Sequence, residues 1–354
     1  MPTQLDHYRL LGRSGLRVSP LCLGTMTFGV GPGGWGSTDE EAARMLDIYA
    51  DRGGNFVDTA DFYGQMGGSE RLLGQIVGDR REKLVISTKY SITTSPGDPN
   101  AAGNSRRNMV RSVEASLKRM KTDWIDLLYL HMWDFRTPVD EILRAFDDLV
   151  RSGKVLYIGL SDTPAWQASR MQAIAEVRGW TQFCALQIQH NLIERTVERE
   201  LIPMAREMGL GVCPWSPLGG GVLTGKYTNA DIAAPAGEMM GSRKAINVAT
   251  GRLSEQNLAI AQVTVEVAKD IGCTPAQVAL AWLLAHPDVD SPVLGARTPA
   301  QLEDNLGALD VTLSEEHLAR LEAASAVPPV FPMDMLSGPA EHIMTGGVTV
   351  ETRR

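Results

Sequence analysis

The sequence predicts an α/β protein folded as a (β/α)8, or TIM, barrel, on three observations. Eight short β-rich runs occur in series, helical patterns sit between successive runs, and the runs are nearly continuously apolar instead of alternating. Strands buried on both faces of a parallel sheet read this way, and their connections run through helices. A regular series of such units points to a closed barrel and not to an open sheet.

Taken in order, YRLLGRSGLRVS reads as two short strands around a Gly-containing turn, a hairpin over residues 7–18 that caps the barrel bottom. The barrel is expected over residues 19–310, with strands in VSPLCLG, NFVDTA, LVISTK, IDLLYLH, VLYIGLS, FCALQIQ, GVCPWS and SPVLGA. TDEEAARMLDIYADRG carries Thr38 and Glu41 as a capping box and Gly53 as a stop, and SRRNMVRSVEASLKRM opens on Asn104 or Ser105. Further helices are expected in TPVDEILRAFDDLVRSG, TPAWQASRMQAIAEVRG, TVERELIPMAREMG, SEQNLAIAQVTVEVAKDIG, TPAQVALAWLLAHP and TPAQLEDNLGAL. Several end in a basic residue and glycine, as helix C-termini prefer. Two irregular stretches rich in Gly, Pro and Met, roughly residues 217–253 after the seventh strand and 327–354 after the last helix, read as long loops of the kind that carry function or stay disordered. Residues 311–354 are expected to form a C-terminal helix and tail, and residues 1–354 read as one domain.

The 354 residues are 44% hydrophobic and 21% charged, the balance of a soluble globular chain. A net charge of −8 argues against nucleic acid or an anionic membrane as the main partner, and leaves room for a local basic pocket. Cys22, Cys184, Cys213 and Cys273 lie far apart, with no CxxC and no His pair at ligand spacing, so reduced core cysteines and no metal are expected. The opening residues MPTQLDHYRL lack a signal-peptide core, and no run approaches the roughly 18 apolar residues of a membrane span, so the expected location is cytoplasmic. Oligomeric state, a homo-oligomer included, stays open.

An active site in this fold lies at the C-terminal strand ends. There NFVDTADFYG ends its strand on Asp58 and offers Tyr63 five residues later, VISTK ends on Lys89, and LYLHMWD places His131. Each has an ordinary structural alternative: a loop cap, a packing aromatic, the first solvated residue after a strand, a satisfied core histidine. Together, at three consecutive strand ends, they make chemical sense. A lysine cation favours the phenolate of a tyrosine whose ordinary pKa is near 10, and a carboxylate holds that lysine charged. A neutral imidazole donating to a carbonyl oxygen stabilises developing negative charge. Hydride transfer to a carbonyl, with Tyr63 protonating the oxygen, is the matching reaction.

With the further motifs GLRVSPLCLGTMTFG, VDTADFYG, LHMWD and WSPLGGGVLTGKY, the sequence resembles the aldo-keto reductases from about Tyr8 to Leu309. The likeness is to the branch that includes potassium-channel β-subunit-like and aryl-alcohol-dehydrogenase-like members. The resemblance implies that Asp58, Tyr63, Lys89 and His131 are the catalytic tetrad, and that NADP(H) is held across the barrel mouth without a Rossmann fold. On that basis Gly24, Thr25 and Met26 lie under the nicotinamide beside Asp58, while Ser161, Asp162 and Gln187 hold its carboxamide and Trp215 stacks on the ring. Ser216, Pro217, Leu218, Gly220 and Lys226 would embrace the pyrophosphate. Gly295, Arg297, Gln301 and Asn305 match the adenosine end, with Asp304 facing the adenine amino group, and Arg297 favours NADP over NAD through a 2′-phosphate. Two departures stand out: Asp162 occupies a position where many relatives carry Asn, and Trp215 one where other branches carry Tyr or Phe.

The implied substrate is a small carbonyl or alcohol in a pocket of Trp35, Tyr90 and Trp133 with the tail VFPMDML. Two competing readings follow. A regulatory or interaction subunit on the same cofactor-binding barrel would keep the same residues, as the potassium-channel β subunits do. GPGGWG at residues 31–36 fits G-x-G-x-x-G with Asp58 22 residues beyond, the pattern of a Rossmann dehydrogenase. Its glycines start seven residues after Gly24, contain Pro32 and precede Ser37 and Thr38, which cap the next helix themselves, so a flexible loop beside the site is the better reading.

Overall fold

The computed structural model describes residues 3–30, 35–232, 243–336 and 339–349. An antiparallel hairpin of β1 (Arg9–Leu10) and β2 (Arg17–Val18) precedes the barrel strands. These are β3 (Cys22–Gly24), β4 (Phe56–Asp58), β5 (Val85–Tyr90), β6 (Ile125–Leu130), β7 (Val155–Ser161), β8 (Ala185–Gln189), β9 (Gly211–Trp215) and β10 (Val293–Gly295). All pair in parallel in the order β10-β3-β4-β5-β6-β7-β8-β9. The β9–β10 seam closes just ahead of β10, where the Asp290 and Ser291 amides donate to Val212 O at 2.9 and 3.4 Å. The eight expected strands are present and in register order, which removes the open-sheet reading; residues 31–34 of the GPGGWG stretch lie outside the described residues.

Helices surround the barrel. α1 (Asp39–Asp51) has the expected reciprocal capping box of Thr38 and Glu41, with Gly53 following at φ +83°. α2 (Tyr63–Ile76) is an addition to the sequence reading, and its start is broken by left-handed residues 64–67. α3 (Arg106–Met120) is capped by Ser105, while Asn104 ties the preceding loop to Asp134 and to Met132 O. α4 (Val139–Arg151), α5 (Ala165–Arg178) and α6 (Leu201–Met208) follow their strands. The long loop after β9 contains the short helices α7 (Asn229–Ile232) and α8 (Arg243–Ala249) where irregular chain was expected. α9 (Glu255–Ile271), α10 (Pro275–Ala285) and α11 (Pro299–Leu306) complete the ring, and α12 (Glu315–Ser325) precedes a tail with α13 (Met333–Leu336) and α14 (Pro339–Thr345).

Strand alternation sorts the side chains into two sets. Leu11 and Val18 of the hairpin pack with Cys22, Phe56, Val85, Leu127, Tyr129, Cys184 and Cys213, so the hairpin plugs the barrel bottom as expected. Val57, Ile86, Tyr90, Leu128 and Leu130 instead join the larger core shared with the helices. Gly159 makes room for this packing, because a Cβ there would meet the Tyr129 ring at 2.4 Å. All four cysteines are free thiols, three of them buried and Cys273 partly so. Among the described residues no helix is long and apolar enough to cross a membrane.

Candidate active site

The inward-facing set that begins with apolar residues at the barrel bottom ends at the top in polar ones. Asp58 closes β4, Ser87 and Lys89 follow on β5, and Gln187 sits on β8. Lys89 Nζ donates to Asp58 Oδ2 at 2.5 Å and to Thr59 O at 2.8 Å. Asp58 Oδ1 accepts from Ser87 Oγ at 2.7 Å and from Gln187 Nε2 at 2.9 Å. Every carboxylate oxygen of this buried acid is therefore engaged, as burial of a charge requires.

Tyr63 comes back over this pair from the turn after β4. Lys89 Nζ lies 5.0 Å from its ring centroid, and the His131 ring meets it edge-on at 5.8 Å between centroids. Burial pulls the Lys89 ammonium down, but Asp58 and then Tyr63 outweigh it and hold its pKa above the ordinary lysine value. The phenol corrects the sequence expectation: Lys89 lowers its pKa, yet burial dominates and the net shift is upward. Tyr63 is thus held as a protonated phenol, although part of its surface stays open to the cavity. Burial, with Lys89 second, drives His131 down to about 3, so its imidazole is neutral, and among the described residues its buried Nδ1 has no hydrogen-bond partner.

Above the four residues opens a cavity of about 700 Å³. Gly24, Met26, Asp58, Tyr63 and His131 line its floor, with Ser161, Asp162, Gln187 and Trp215 beside them. Lys89 lies beneath, reached through Asp58 and Tyr63. The Trp215 indole donates from Nε1 to Asp162 Oδ1 at 3.1 Å. Ser216, Pro217, Leu218, Gly220 and Lys226 line one wall, and Gly295, Arg297, Gln301, Asp304 and Asn305 the far end. A side chain at Gly220 is excluded by a φ of +68° and by Asn247 Oδ1, 2.3 Å from where a Cβ would sit. Arg297 is set by its backbone amide, which donates to Gln301 Oε1 at 2.9 Å. Asp304 already accepts from Thr274 Oγ1 at 3.2 Å and Gln277 Nε2 at 3.1 Å.

Besides Lys89, three further expected site residues do not line the cavity. Tyr90 is fully buried among the helices, edge-on to Phe146, because it follows inward-facing Lys89 by one residue and must face the other way. Trp133 is buried behind the rim against Phe135. Thr25 is also sealed off, bracing the strand end by donating to Asp58 O at 3.0 Å. Trp35 does line the cavity, whereas the tail residues Val330, Phe331, Met333, Met335 and Leu336 are exposed and lie off it.

Sequence reasoning missed Phe62, Ile92, Arg243 and Arg252, all on the cavity wall. Arg243 joins Lys226 and Arg297 as a group of cations, Arg252 stands 6.0 Å from the Trp215 ring centroid, and among the described residues none of the four forms an ion pair with a carboxylate. Burial and then mutual repulsion hold Lys226 and Arg243 below their ordinary pKa values, the mark of like charges held close together. This is the local basic pocket of an acidic protein. A separate cluster of His190, Glu198 and His286 has metal-ligand spacing, but Arg195 donates to both Glu198 oxygens at 2.7 and 2.8 Å and occupies the carboxylate.

Comparison with known proteins matches residues 20–326 to the aldo/keto reductase family. The chain belongs to the aldo/keto reductase family. Its similar relatives include a norsolorinic acid reductase of Aspergillus flavus, 37% identical over 345 residues, covering 95% of this chain and 85% of that protein. The uncharacterized oxidoreductase YrpG of Bacillus subtilis is 42% identical over 324 residues, covering 89% and 94%. A norsolorinic acid reductase of Emericella nidulans, stcV, is 39% identical over 348 residues, covering 95% and 86%. This aldo/keto reductase is accordingly an oxidoreductase acting on small molecules, in a family whose members generally use nicotinamide cofactors.

Proposed function

We propose that this aldo/keto reductase uses NADPH to reduce aldehyde or ketone carbonyls to alcohols, reversibly, as a single-domain cytoplasmic enzyme. The observation that carries the reading is the buried Lys89–Asp58 pair beneath Tyr63, open to a cavity through the phenol. The residues present fit a dinucleotide phosphate: a flat indole, Trp215, borders the catalytic floor with Arg252 beside it, and Lys226, Arg243 and Arg297 supply further cations along the cavity. Arg297, with Lys226 and Arg243, would take the phosphates, and Gly220 would allow close backbone approach.

When bound, the cofactor supplies the hydride. Tyr63, kept protonated by burial, gives its proton to the carbonyl oxygen as negative charge builds there. Lys89 then neutralises the phenolate, and Asp58 keeps Lys89 charged and in place. Neutral His131 donates one N–H to the same oxygen, orienting the substrate without adding a competing charge. Gln187 has spent its amide nitrogen on Asp58, which leaves its carbonyl oxygen to receive the carboxamide amine.

Met26, Trp35, Phe62 and Ile92 give the open part of the cavity apolar walls, suited to a hydrophobic carbonyl compound. Because the relatives include norsolorinic acid reductases, norsolorinic acid belongs in the first substrate panel with simpler aromatic aldehydes. The test is Tyr63→Phe. Turnover is expected to vanish while NADPH affinity stays within about threefold, since the hydroxyl serves proton transfer; retained turnover contradicts the assignment.

A further inference from the structure

We propose that Asp162 makes this site discriminate between the two redox forms of the cofactor, holding the oxidised, cationic nicotinamide in preference to the reduced, neutral one. The inference rests on the cofactor reading above. Asp162 follows the last residue of β7 in a left-handed conformation, φ +37°, that a non-glycine residue seldom adopts. Its carboxylate lines the cavity beside Ser161, Gln187 and Trp215.

Asp162 Oδ1 accepts from the Trp215 indole, a neutral partner, and among the described residues no lysine or arginine forms an ion pair with it. The nearest cation on the floor, Lys89, is committed to Asp58 at 2.5 Å. That pair sums to neutral, and Arg252, 6.0 Å from the Trp215 ring centroid, bonds Gln189, so among the described residues Asp162 has no direct cationic partner at the catalytic end. Burial holds its carboxyl above the usual range, with the Trp215 N–H and Lys89 drawing it back, which marks a setting where charge is poorly screened.

A nicotinamide ring carries a positive charge when oxidised and none when reduced. A carboxylate without a direct cationic partner, if it borders the bound ring, would favour the oxidised form by about tenfold at the effective dielectric of a partly buried site. An asparagine would offer the same oxygen to Trp215 and differ only in charge. Its bias would fall to the level of a dipole. On the protein, the carboxylate thus pulls the bound couple toward the oxidised cofactor, in the direction of carbonyl reduction, and slows the departure of that product.

The experiment is isothermal titration calorimetry of the full-length protein and of Asp162→Asn with NADP+ and NADPH separately. The variant is expected to lose about tenfold more affinity for NADP+ than for NADPH. Equal factors for both forms, or a selective loss of NADPH, overturn the inference and make Asp162 a contact of the carboxamide alone. Trp215→Phe, which removes the indole donor and keeps the carboxylate, is expected to weaken both forms by one factor. A selective NADP+ loss in that variant assigns the effect to ring placement and also overturns it. Wild-type protein that binds neither form defeats the cofactor reading itself, a result distinct from binding both with an unchanged ratio in the variant.

Discussion

Lys89 Nζ lies 2.5 Å from Asp58 Oδ2, with the lysine side chain wholly out of solvent and the aspartate 3% exposed. Two charges this deep are tolerated only because each is the other's partner and the spare lone pairs are filled by Ser87 and Gln187.

Breaking the pair from one side should thus cost stability as well as activity. Lys89→Met is expected to abolish turnover and to destabilise the fold by about 3–5 kcal/mol, because Asp58 is left charged and buried. Asp58→Asn combined with Lys89→Met should recover most of the stability and none of the activity. Chemical denaturation of the three proteins reads this, and a double variant no more stable than Lys89→Met alone would contradict it.

His131 gives a pH prediction with a definite sign. With its imidazole driven down to about 3, it stays neutral across pH 5–8, and the rate profile should show no ionisation near 6.5 that His131→Gln removes. Because the folded value lies below the ordinary 6.5, stability is complete above pH 6.5 and falls as pH drops toward 3. Melting temperatures of wild type and His131→Gln over that window should diverge toward acid, with the wild type losing more.

Asp61 behaves oppositely. Its carboxyl group is buried, and burial, then Glu70, raise its pKa to about 8 against the pull of the Ser112 hydroxyl. Stability from the protonated acid is complete below 3.8 and is lost as pH rises toward 8. Asp61→Asn should remove that loss, so its advantage in melting temperature grows between pH 4 and 8. An advantage independent of pH would mean that Asp61 is ionised in the fold.

Much of this was legible locally. Thr38 and Glu41 announced a helix start because capping depends on residues three apart, and the strand ends at Asp58, Lys89 and His131 were readable from apolar runs. The direction of Tyr90 is equally local, since strand alternation from inward-facing Lys89 turns it to the helices. Arg243 and Arg252 carried no local signal. They reach the cavity from a segment without periodicity after β9, and Arg243 is stacked 5.0 Å over Trp35 from a loop more than 200 residues earlier in the chain. The net shift of Tyr63 was equally hidden, since it is a contest between burial and Lys89 that only coordinates decide.

The cationic end yields a specificity prediction. Arg297→Ala should weaken NADPH much more than NADH, by roughly tenfold or more, if its guanidinium meets the 2′-phosphate. Arg243→Ala should weaken both, if it serves phosphates that the two share. Dissociation constants for each cofactor at two salt concentrations read this, and equal losses on Arg297→Ala would remove it from the 2′-phosphate.

The most direct test of the central claim is a tryptophan-fluorescence titration of the purified protein with NADPH and with NADH, reading Trp215 against the nicotinamide. Strong quenching by NADPH at micromolar concentration, with NADH far weaker, is the predicted result. No quenching and no calorimetric binding by either would contradict the cofactor assignment and leave Asp58, Tyr63, Lys89 and His131 without a reaction.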